Sequence, residues 1–154
     1  MEQNELIIIC RMKIKILKHN LFNRIMVSGN KKTSEKILLK SLKLMQKTQL
    51  KKSFEKIIRL SLINNSPIVY MKHIRRKRKR TLEFPFLLKP LLRISYGIKF
   101  LLQYSKNYAQ KLFYLNLKAE LINSAKKISS SFKHKVKLTN EVFSKKKFAE
   151  YRWF

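Results

Sequence analysis

The sequence predicts a mainly α-helical fold, a helical bundle of about six helices with a β-hairpin protruding between the third and fourth helices. Three observations support this fold class. Only two glycines and three prolines occur in 154 residues, which leaves little room for the many turns of an all-β protein. Apolar residues recur at spacings of three and four along most of the chain, as in helices with one buried face. Between residues 68 and 88, two β-prone segments instead flank a run of basic residues.

The composition predicts a polyanionic partner. Thirty-seven Lys and Arg residues stand against eight acidic residues, all of them Glu, and the formal net charge is +29. Self-repulsion of this charge opposes compaction, whereas binding to nucleic acid converts it into affinity through phosphate neutralisation and counterion release. The hydrophobic fraction of 45% is that of a globular protein rather than of a disordered basic tail. We therefore expect a folded domain that binds nucleic acid.

Residues 1–16 are predicted to form an extended N-terminal arm, because apolar and basic residues alternate from Arg11 to Ile16. A first helix is expected over 17–28 and to stop at Gly29, since glycine readily adopts the left-handed conformation that follows many helix C-termini. Residues 17–154 contain no internal repeat and no linker, and we expect them to form a single domain.

The second and third helices are predicted over 33–47 and 51–64. In the second helix, an apolar stripe and a basic stripe lie on opposite sides at helical spacing. The apolar stripe consists of Leu38, Leu42 and Met45, and the basic stripe consists of Lys36, Lys40, Lys43 and Lys47. Two interpretations of the basic stripe stay open, a solvated face and a face that binds RNA. The inner side of the third helix is expected to carry Phe54, Ile57, Ile58 and Ser61.

A β-hairpin arm is predicted over about 68–88, around six consecutive basic residues, Arg75–Arg80. Pro85 and Pro90 exclude a helix through the second half of this segment. The tip contains no Gly, Asn or Asp, which favours a wide loop over a tight turn. The basic run fits a solvated loop, a nuclear localisation signal or a loop that enters an RNA groove. The flanking strands favour the third, because a ribbon would hold the charges away from the body.

Three further helices are expected after the hairpin. The fourth, 90–105, begins at Pro90, which suits a first helical turn. It is predicted to be the central core element, with Leu91, Ile94, Ile98, Leu101 and Leu102 on its inner side. The fifth is expected to be capped by Asn107, to run to about 124 and to bury Leu112, Leu115, Ala119 and Ile122. A Lys/Ser-rich loop over 126–138 is then predicted to precede a short last helix capped by Thr139.

The residue types needed for catalysis or cofactor binding are scarce. Two-metal chemistry needs converging carboxylates, and eight scattered Glu without any Asp do not predict such a cluster. The single cysteine, Cys10, excludes an internal disulfide and a multi-cysteine zinc site. Two isolated glycines cannot form a glycine-rich phosphate loop. We therefore predict a protein that is not an enzyme and needs no cofactor or metal.

No apolar run approaches the ~20 residues that a membrane span requires, so no membrane partner is expected. Glu2 and Glu5 argue against a transit peptide and a secretory signal. The alternative from another class is a basic amphipathic protein that binds anionic membrane surfaces. Several helices with buried faces, and a hairpin that such a protein would not need, weigh against this alternative.

Four segments resemble, in the same order, those of the small-subunit ribosomal protein family S-seven. Phe22–Thr33 resembles the exit of the family's first helix and its Gly-Lys-Lys-Ser/Thr turn, and Phe84–Pro90 resembles its returning hairpin strand. Arg93–Leu102 follows without a gap, and Lys147–Trp153 resembles the terminal Ala-Phe-Ala-His-Tyr-Arg-Trp signature. The likeness spans about 17–154 and implies a helical body of about six helices with a hairpin between the third and fourth.

The resemblance implies a structural role in translation. The protein would bind and organise the head domain of small-subunit rRNA during ribosome assembly, next to neighbouring small-subunit proteins. Its hairpin would lie toward the exit-tRNA side, where tRNA or mRNA could also be a partner.

The resemblance further implies a set of rRNA-binding residues. These are Lys31, Lys32 and Thr33 before the second helix; Arg75 and Arg76 in place of the family's hairpin Arg pair; Lys89, Arg93 and Lys99 on the return strand and fourth helix; and Tyr151, Arg152 and Trp153 in the terminal signature. We add Lys77, Arg78, Lys79 and Arg80 from the basic run itself, interpreted as a loop that enters an RNA groove. For Tyr151 and Trp153 a second interpretation stays open, that they anchor the last helix to the body.

Three departures from the family pattern bear on these expectations. The hairpin tip has basic residues where the family has a glycine pair, the segment before Phe148 is about one turn shorter, and the first ten residues lack the basic opening. The bias toward Lys, Ile, Leu, Asn, Phe and Tyr is that of A/T-rich coding. Together with the divergence, it predicts an organelle-encoded protein of the mitochondrial ribosome, with a plastid ribosome as the less favoured alternative.

Overall fold

The computed structural model of the chain describes residues 14–48, 53–74, 82–108 and 112–151. In chain order these form helices α1 (Ile14–Ile25), α2 (Lys31–Thr48) and α3 (Phe54–Asn65), strands β1 (Val69–Ile74) and β2 (Leu82–Leu87), helices α4 (Pro90–Ser105), α5 (Phe113–Ala125) and α6 (Ser130–Ser144), and a short 3-10 helix (Lys146–Tyr151). The predicted fold class, a helical body with an antiparallel hairpin between the third and fourth helices, is confirmed.

The main hydrophobic core lies where α4 meets the other helices. α4 buries apolar side chains along most of its length and packs against α1, α3, α5 and α6, as expected for the central core element. Its partners contribute fully buried leucines and isoleucines at helical spacing, among them Leu17, Leu21, Ile58, Leu117 and Leu121. Burial of each such side chain contributes about 1.5–3 kcal/mol to folding. This core holds the helices that carry the basic surface.

A second, smaller core fixes the base of the hairpin. Met71 of β1 packs with Phe100 of α4 and with Leu138 and Val142 of α6. At the open end of the hairpin the Leu88 amide donates to the Ile68 carbonyl over 3.0 Å. The two strands pair in register from Val69↔Leu87 to Ile74↔Leu82. The hairpin therefore leaves the body from a packed base and not from a free linker.

Gly97 allows α4 to approach the end of α3 closely. A Cβ atom at this position would lie 3.3 Å from the Cα and from the amide nitrogen of Ser66, closer than carbon atoms normally pack. Gly97 is itself buried. The backbone of the facing segment thus favours glycine here, although glycine lowers the intrinsic helix propensity of α4.

Replacing Gly97 by Val is expected to lower the free energy of unfolding by about 2 kcal/mol, because the branched side chain overpacks the contact with Ser66. Gly97→Ala is the matched control. Its smaller crowding is offset by about 1 kcal/mol of gained helix propensity. Urea denaturation followed by circular dichroism measures both variants. A Val variant as stable as the Ala variant would contradict the close contact.

The N-terminal region differs from the prediction. α1 begins at Ile14 and ends at Ile25, so residues 14–16 are helical rather than extended and the helix stops short of 28. Burial of Leu17 and Leu21, one helical turn apart, outweighs the local alternation. Gly29 has the predicted left-handed conformation, with φ of 73°, but lies in the turn before α2 rather than at the end of α1. Residues 1–13 of the predicted arm lie outside the described residues.

Several details predicted for α4 and α5 are wrong. Leu91 is 72% exposed, because the first turn of α4 borders an open cleft beside α1 instead of a covering helix. α5 begins at Phe113, and the Asn107 amide donates to the Tyr104 carbonyl in a turn, so Asn107 does not cap the helix. Leu112 is exposed, and the predicted Leu115, Ala119 and Ile122 are only partly buried. The buried residues of α5 are Asn116, Leu117, Glu120, Leu121 and Ser124.

The predicted loop over 126–138 is also wrong, because most of it belongs to α6. Ser129 caps this helix, and its Oγ accepts a hydrogen bond from the Phe132 amide. Thr139 lies inside the helix, where its hydroxyl donates to the Lys135 carbonyl, so it is no cap. A Ser-rich segment favours a loop from composition alone, but here the serines satisfy polar groups at a helix N-terminus.

Candidate nucleic-acid interface

In the described part of the chain, Glu83 and Glu120 are acidic residues with contacts inside the fold. Glu83 of β2 forms an ion pair with Lys145 at the end of α6, and its carboxylate lies 3.3 Å from Nδ1 of His73 on β1. Glu120 of α5 is fully buried and accepts hydrogen bonds from the Ser131 amide (3.2 Å), the Ser131 hydroxyl and the Tyr108 hydroxyl (2.7 Å). Burial and the hydrogen bond to Glu120 raise the pKa of the Tyr108 phenol, since both favour its protonated, donating form. These carboxylates act in packing and leave the surface strongly cationic.

The turn between α1 and α2 presents the predicted Lys31, Lys32 and Thr33. All three are exposed in the first turn of α2. Asn30 caps the helix, since its side-chain Oδ1 accepts from the Thr33 amide (3.4 Å) and its carbonyl accepts from the Thr33 hydroxyl (3.0 Å). The positive end of the helix dipole and two neighbouring ammonium groups attract phosphate here, while the Lys31 and Thr33 amides already donate to Gly29 and Asn30. The arrangement suits a phosphate of an RNA backbone.

The two stripes of α2 are arranged as predicted. Leu38, Leu42 and Met45 are buried, and Lys36, Lys40, Lys43 and Lys47 are exposed. The ammonium group of Lys40 lies 5.7 Å from the ring centroid of Tyr114 on α5, a cation–π distance. The stripe therefore faces outward, which both the solvated and the RNA-binding interpretation require.

The basic run lies in the sequence between the two strands of the hairpin. β1 ends at Ile74 and β2 begins at Leu82. The predicted Arg75, Arg76, Lys77, Arg78, Lys79 and Arg80 lie outside the described residues, in the segment that joins the paired ends of the strands. At the near end, α6 and the 3-10 helix pack against β1 and β2 respectively. These contacts attach the near end of both strands to the helical body.

The predicted residues of α4 do not share one environment. Lys89, at the N-cap position, and Lys99 are exposed, whereas Arg93 is only 6% exposed. The free chain therefore offers little of the Arg93 side chain to RNA, and its guanidinium belongs to the interior. The predicted Tyr151 ends the 3-10 helix, while Arg152 and Trp153 lie outside the described residues. Both interpretations of Tyr151 and Trp153, anchoring of the last helix and RNA binding, thus stay predictions.

The structure brings the predicted Lys99 together with two basic residues that the sequence did not single out. Arg24 of α1, Lys99 of α4 and Lys106, at the C-cap of α4, line one cleft of about 570 Å³. The Arg24 guanidinium is held in place by a hydrogen bond to the Ser95 hydroxyl of α4. The spacing of seven between Lys99 and Lys106 places them on one face of α4, which the sequence could have indicated. The contribution of Arg24 depends on the packing of α1 against α4 and had no local signal.

In the described part of the chain, no group of three or more His, Cys, Asp or Glu side chains is arranged to hold a metal ion. None of the described helices has both the length and the apolar character to cross a bilayer.

Comparison with known proteins identifies similar chains. Residues 3–141 match the model of the family described as Ribosomal protein S7p/S5e. The chain is similar to "Small ribosomal subunit protein uS7" of Saccharophagus degradans, with 31% identity over 127 residues that cover 79% of this chain and 80% of that protein. It is also similar to uS7 of Heliobacterium modesticaldum, with 29% identity over 133 residues, 86% of this chain and 84% of that protein. For uS7 of Methylococcus capsulatus the identity is 28% over 131 residues, 85% of this chain and 83% of that protein.

Proposed function

The chain belongs to the Ribosomal protein S7p/S5e family, and from this membership we propose that it binds and organises the head domain of small-subunit rRNA during assembly. Members of this family are structural constituents of the small ribosomal subunit and are not enzymes. The predicted family and the predicted non-enzymatic role are therefore confirmed, and the chain is a ribosomal protein. Small-subunit rRNA and neighbouring ribosomal proteins are its partners.

The proposal that the chain binds rRNA depends on the exposed residues at the N-terminus of α2. Lys31, Lys32 and Thr33 project into solvent beside a capped helix start, a geometry that binds phosphate without any base-specific group. Lys89 and Lys99 extend the cationic surface along α4. We propose that these five residues contact the rRNA backbone and that Arg93 supports α4 from within.

The hairpin is proposed to extend the interface away from the body. Its packed base at Met71, Phe100, Leu138 and Val142 supports an arm that ends in Arg75–Arg80. Arginine in such a run grips phosphate bidentately and stacks on bases. We propose that this arm lies toward the exit-tRNA side of the head, with tRNA or mRNA as a further partner there.

We also propose a compartment for the protein and a division of its chain into an arm and one domain. The relatives described above are bacterial, while the A/T-rich coding bias of this chain supports an organellar ribosome. Its divergence from the bacterial pattern favours a mitochondrial ribosome over a plastid one. We propose that the chain from the start of α1 at Ile14 onward acts as one rRNA-binding domain and that the residues before it form an arm. Sedimentation of ribosomes from purified mitochondria and plastids, followed by mass spectrometry, identifies the compartment.

Sedimentation through a density gradient tests the function itself. We expect the protein to migrate with the small subunit at moderate salt and to remain with it longer than loosely bound basic proteins as the salt concentration rises. Folding of the free polypeptide with head-domain rRNA is expected to yield a stable complex. Recovery in a lipid fraction, with none in the subunit peak, would support the membrane alternative and refute the proposal.

A further inference from the structure

The cleft that contains Arg24, Lys99 and Lys106 has an apolar interior. It opens between the end of α1, α2, α4 and the start of α5, and its volume of about 570 Å³ falls within the range of small-ligand sites. Phe113 and Ile25 line it and also pack against the main core, so part of its lining is held rigidly. This cleft is too large and too apolar to be explained by phosphate binding alone.

The polar groups of the cleft are all suited to an anion or a heterocycle. Three cations line it, and none of its described lining residues is acidic. Gln103 of α4 is exposed and also lines it, between Lys99 and Lys106 along the same helix face. An amide side chain can both donate and accept hydrogen bonds, as the edge of a nucleobase requires.

We infer that this cleft binds one unpaired nucleotide of the rRNA, with the base against Phe113 and Gln103 and the adjoining phosphates at Arg24, Lys99 and Lys106. Proteins that recognise RNA by sequence take unstacked bases onto aromatic rings and hydrogen-bond their edges. A neighbouring protein segment is the less favoured occupant, because a cationic lining without carboxylates is complementary to phosphate rather than to a basic ribosomal protein. The inference rests on the proposed function and adds a base-binding site to it.

The test compares two probes with the same number of phosphates. One is an RNA hexamer of adenylates, and the other is a hexamer of abasic ribose phosphates. We expect the wild-type chain to bind the adenylate probe about tenfold more tightly, since stacking of one base contributes ~1–3 kcal/mol. Phe113→Leu, which keeps the apolar contact with the core, is expected to remove most of this ratio. Phe143→Leu is the matched control at an exposed aromatic residue of α6 outside the cleft and should preserve the ratio.

A second variant keeps the test valid if Phe113→Leu folds poorly. Gln103→Glu changes an exposed residue and places a negative charge in the cleft, so we expect binding of the adenylate probe to fall about tenfold without loss of helical structure. The inference would be overturned if the wild-type chain bound the two probes equally. It would also be overturned if Phe113→Leu left the ratio unchanged and Gln103→Glu left the affinity for the adenylate probe unchanged. Both outcomes would favour a protein segment in the cleft. Either result leaves the proposed function standing if the chain still assembles into small subunits.

Discussion

Replacement of Arg75–Arg80 by alternating serine and glycine will weaken binding to head-domain rRNA more than any other change of equal length. Each phosphate contact that is lost reduces the slope of log affinity against log salt by ~0.7–0.9, so six contacts correspond to a slope lower by about 4–5. A protein with so many contacts loses about 10³-fold or more in affinity between low and physiological salt, which sets the scale of the effect. Filter binding across a salt series measures both the affinity and the slope.

The control for this variant removes the same charge from another part of the surface. A variant in which six exposed lysines outside the hairpin are neutralised has the same net charge as the tip variant. These lysines are Lys56, Lys126, Lys127, Lys133, Lys137 and Lys146. If both variants lose equal affinity, the effect is one of net charge, and the proposal of a specific contact by the hairpin fails. An unchanged slope in the tip variant would show that the basic run is solvated.

Glu120→Ala is expected to have the largest effect on stability, a loss of about 3 kcal/mol in the free energy of unfolding. The substitution deprives the Ser131 amide, the Ser131 hydroxyl and the Tyr108 hydroxyl of their acceptor in a site where Glu120 is fully buried. For a chain of this length, such a loss lowers Tm by about 6–12 °C. Thermal unfolding followed by circular dichroism provides the measurement.

Glu141→Ala is the matched control, because it removes the same charge from an exposed position of α6. Glu120→Gln is expected to lie between the two, since its amide keeps one acceptor oxygen but turns donors toward other donors. Similar Tm values for Glu120→Ala and Glu141→Ala would show that the buried carboxylate does not stabilise the start of α6. A large loss in Glu120→Ala would also weaken the hairpin base, because Leu138 and Val142 reach it from the same helix.

Local patterns were reliable where a helix has one polar and one apolar side. In α2, the two stripes read from the sequence are the buried and exposed faces of the structure, because periodicity within one helix decides which residues can share a face. The position of the hairpin followed from β-prone segments and proline in the same way. Basic positions such as Lys31 and Lys99 were found through family resemblance and lie at the surface.

Polar residues inside the body misled the interpretation of α5 and α6. Ser129 and Ser131 appeared in a Lys/Ser-rich stretch typical of a loop, yet one caps α6 and the other binds Glu120. A buried glutamate is favourable only when donors from two other segments reach it, so no window of the sequence around residue 120 could indicate the buried face. Arg93 was predicted to bind rRNA from the family resemblance, and packing around α4 leaves only 6% of this residue exposed in the free chain.

The sequence alone determined the fold class, the cationic character, the place of the hairpin and the amphipathic faces of α2, because these depend on composition and on residues within one or two turns of each other. The tertiary structure decided which side of α5 is buried, where α6 begins, that Leu91 stays exposed, and that Arg24 joins Lys99 and Lys106 around one cleft. These features arise from contacts between segments far apart in the chain. The free energy gained by burying a residue depends on which other element packs against it, and no local window of the sequence contains that information.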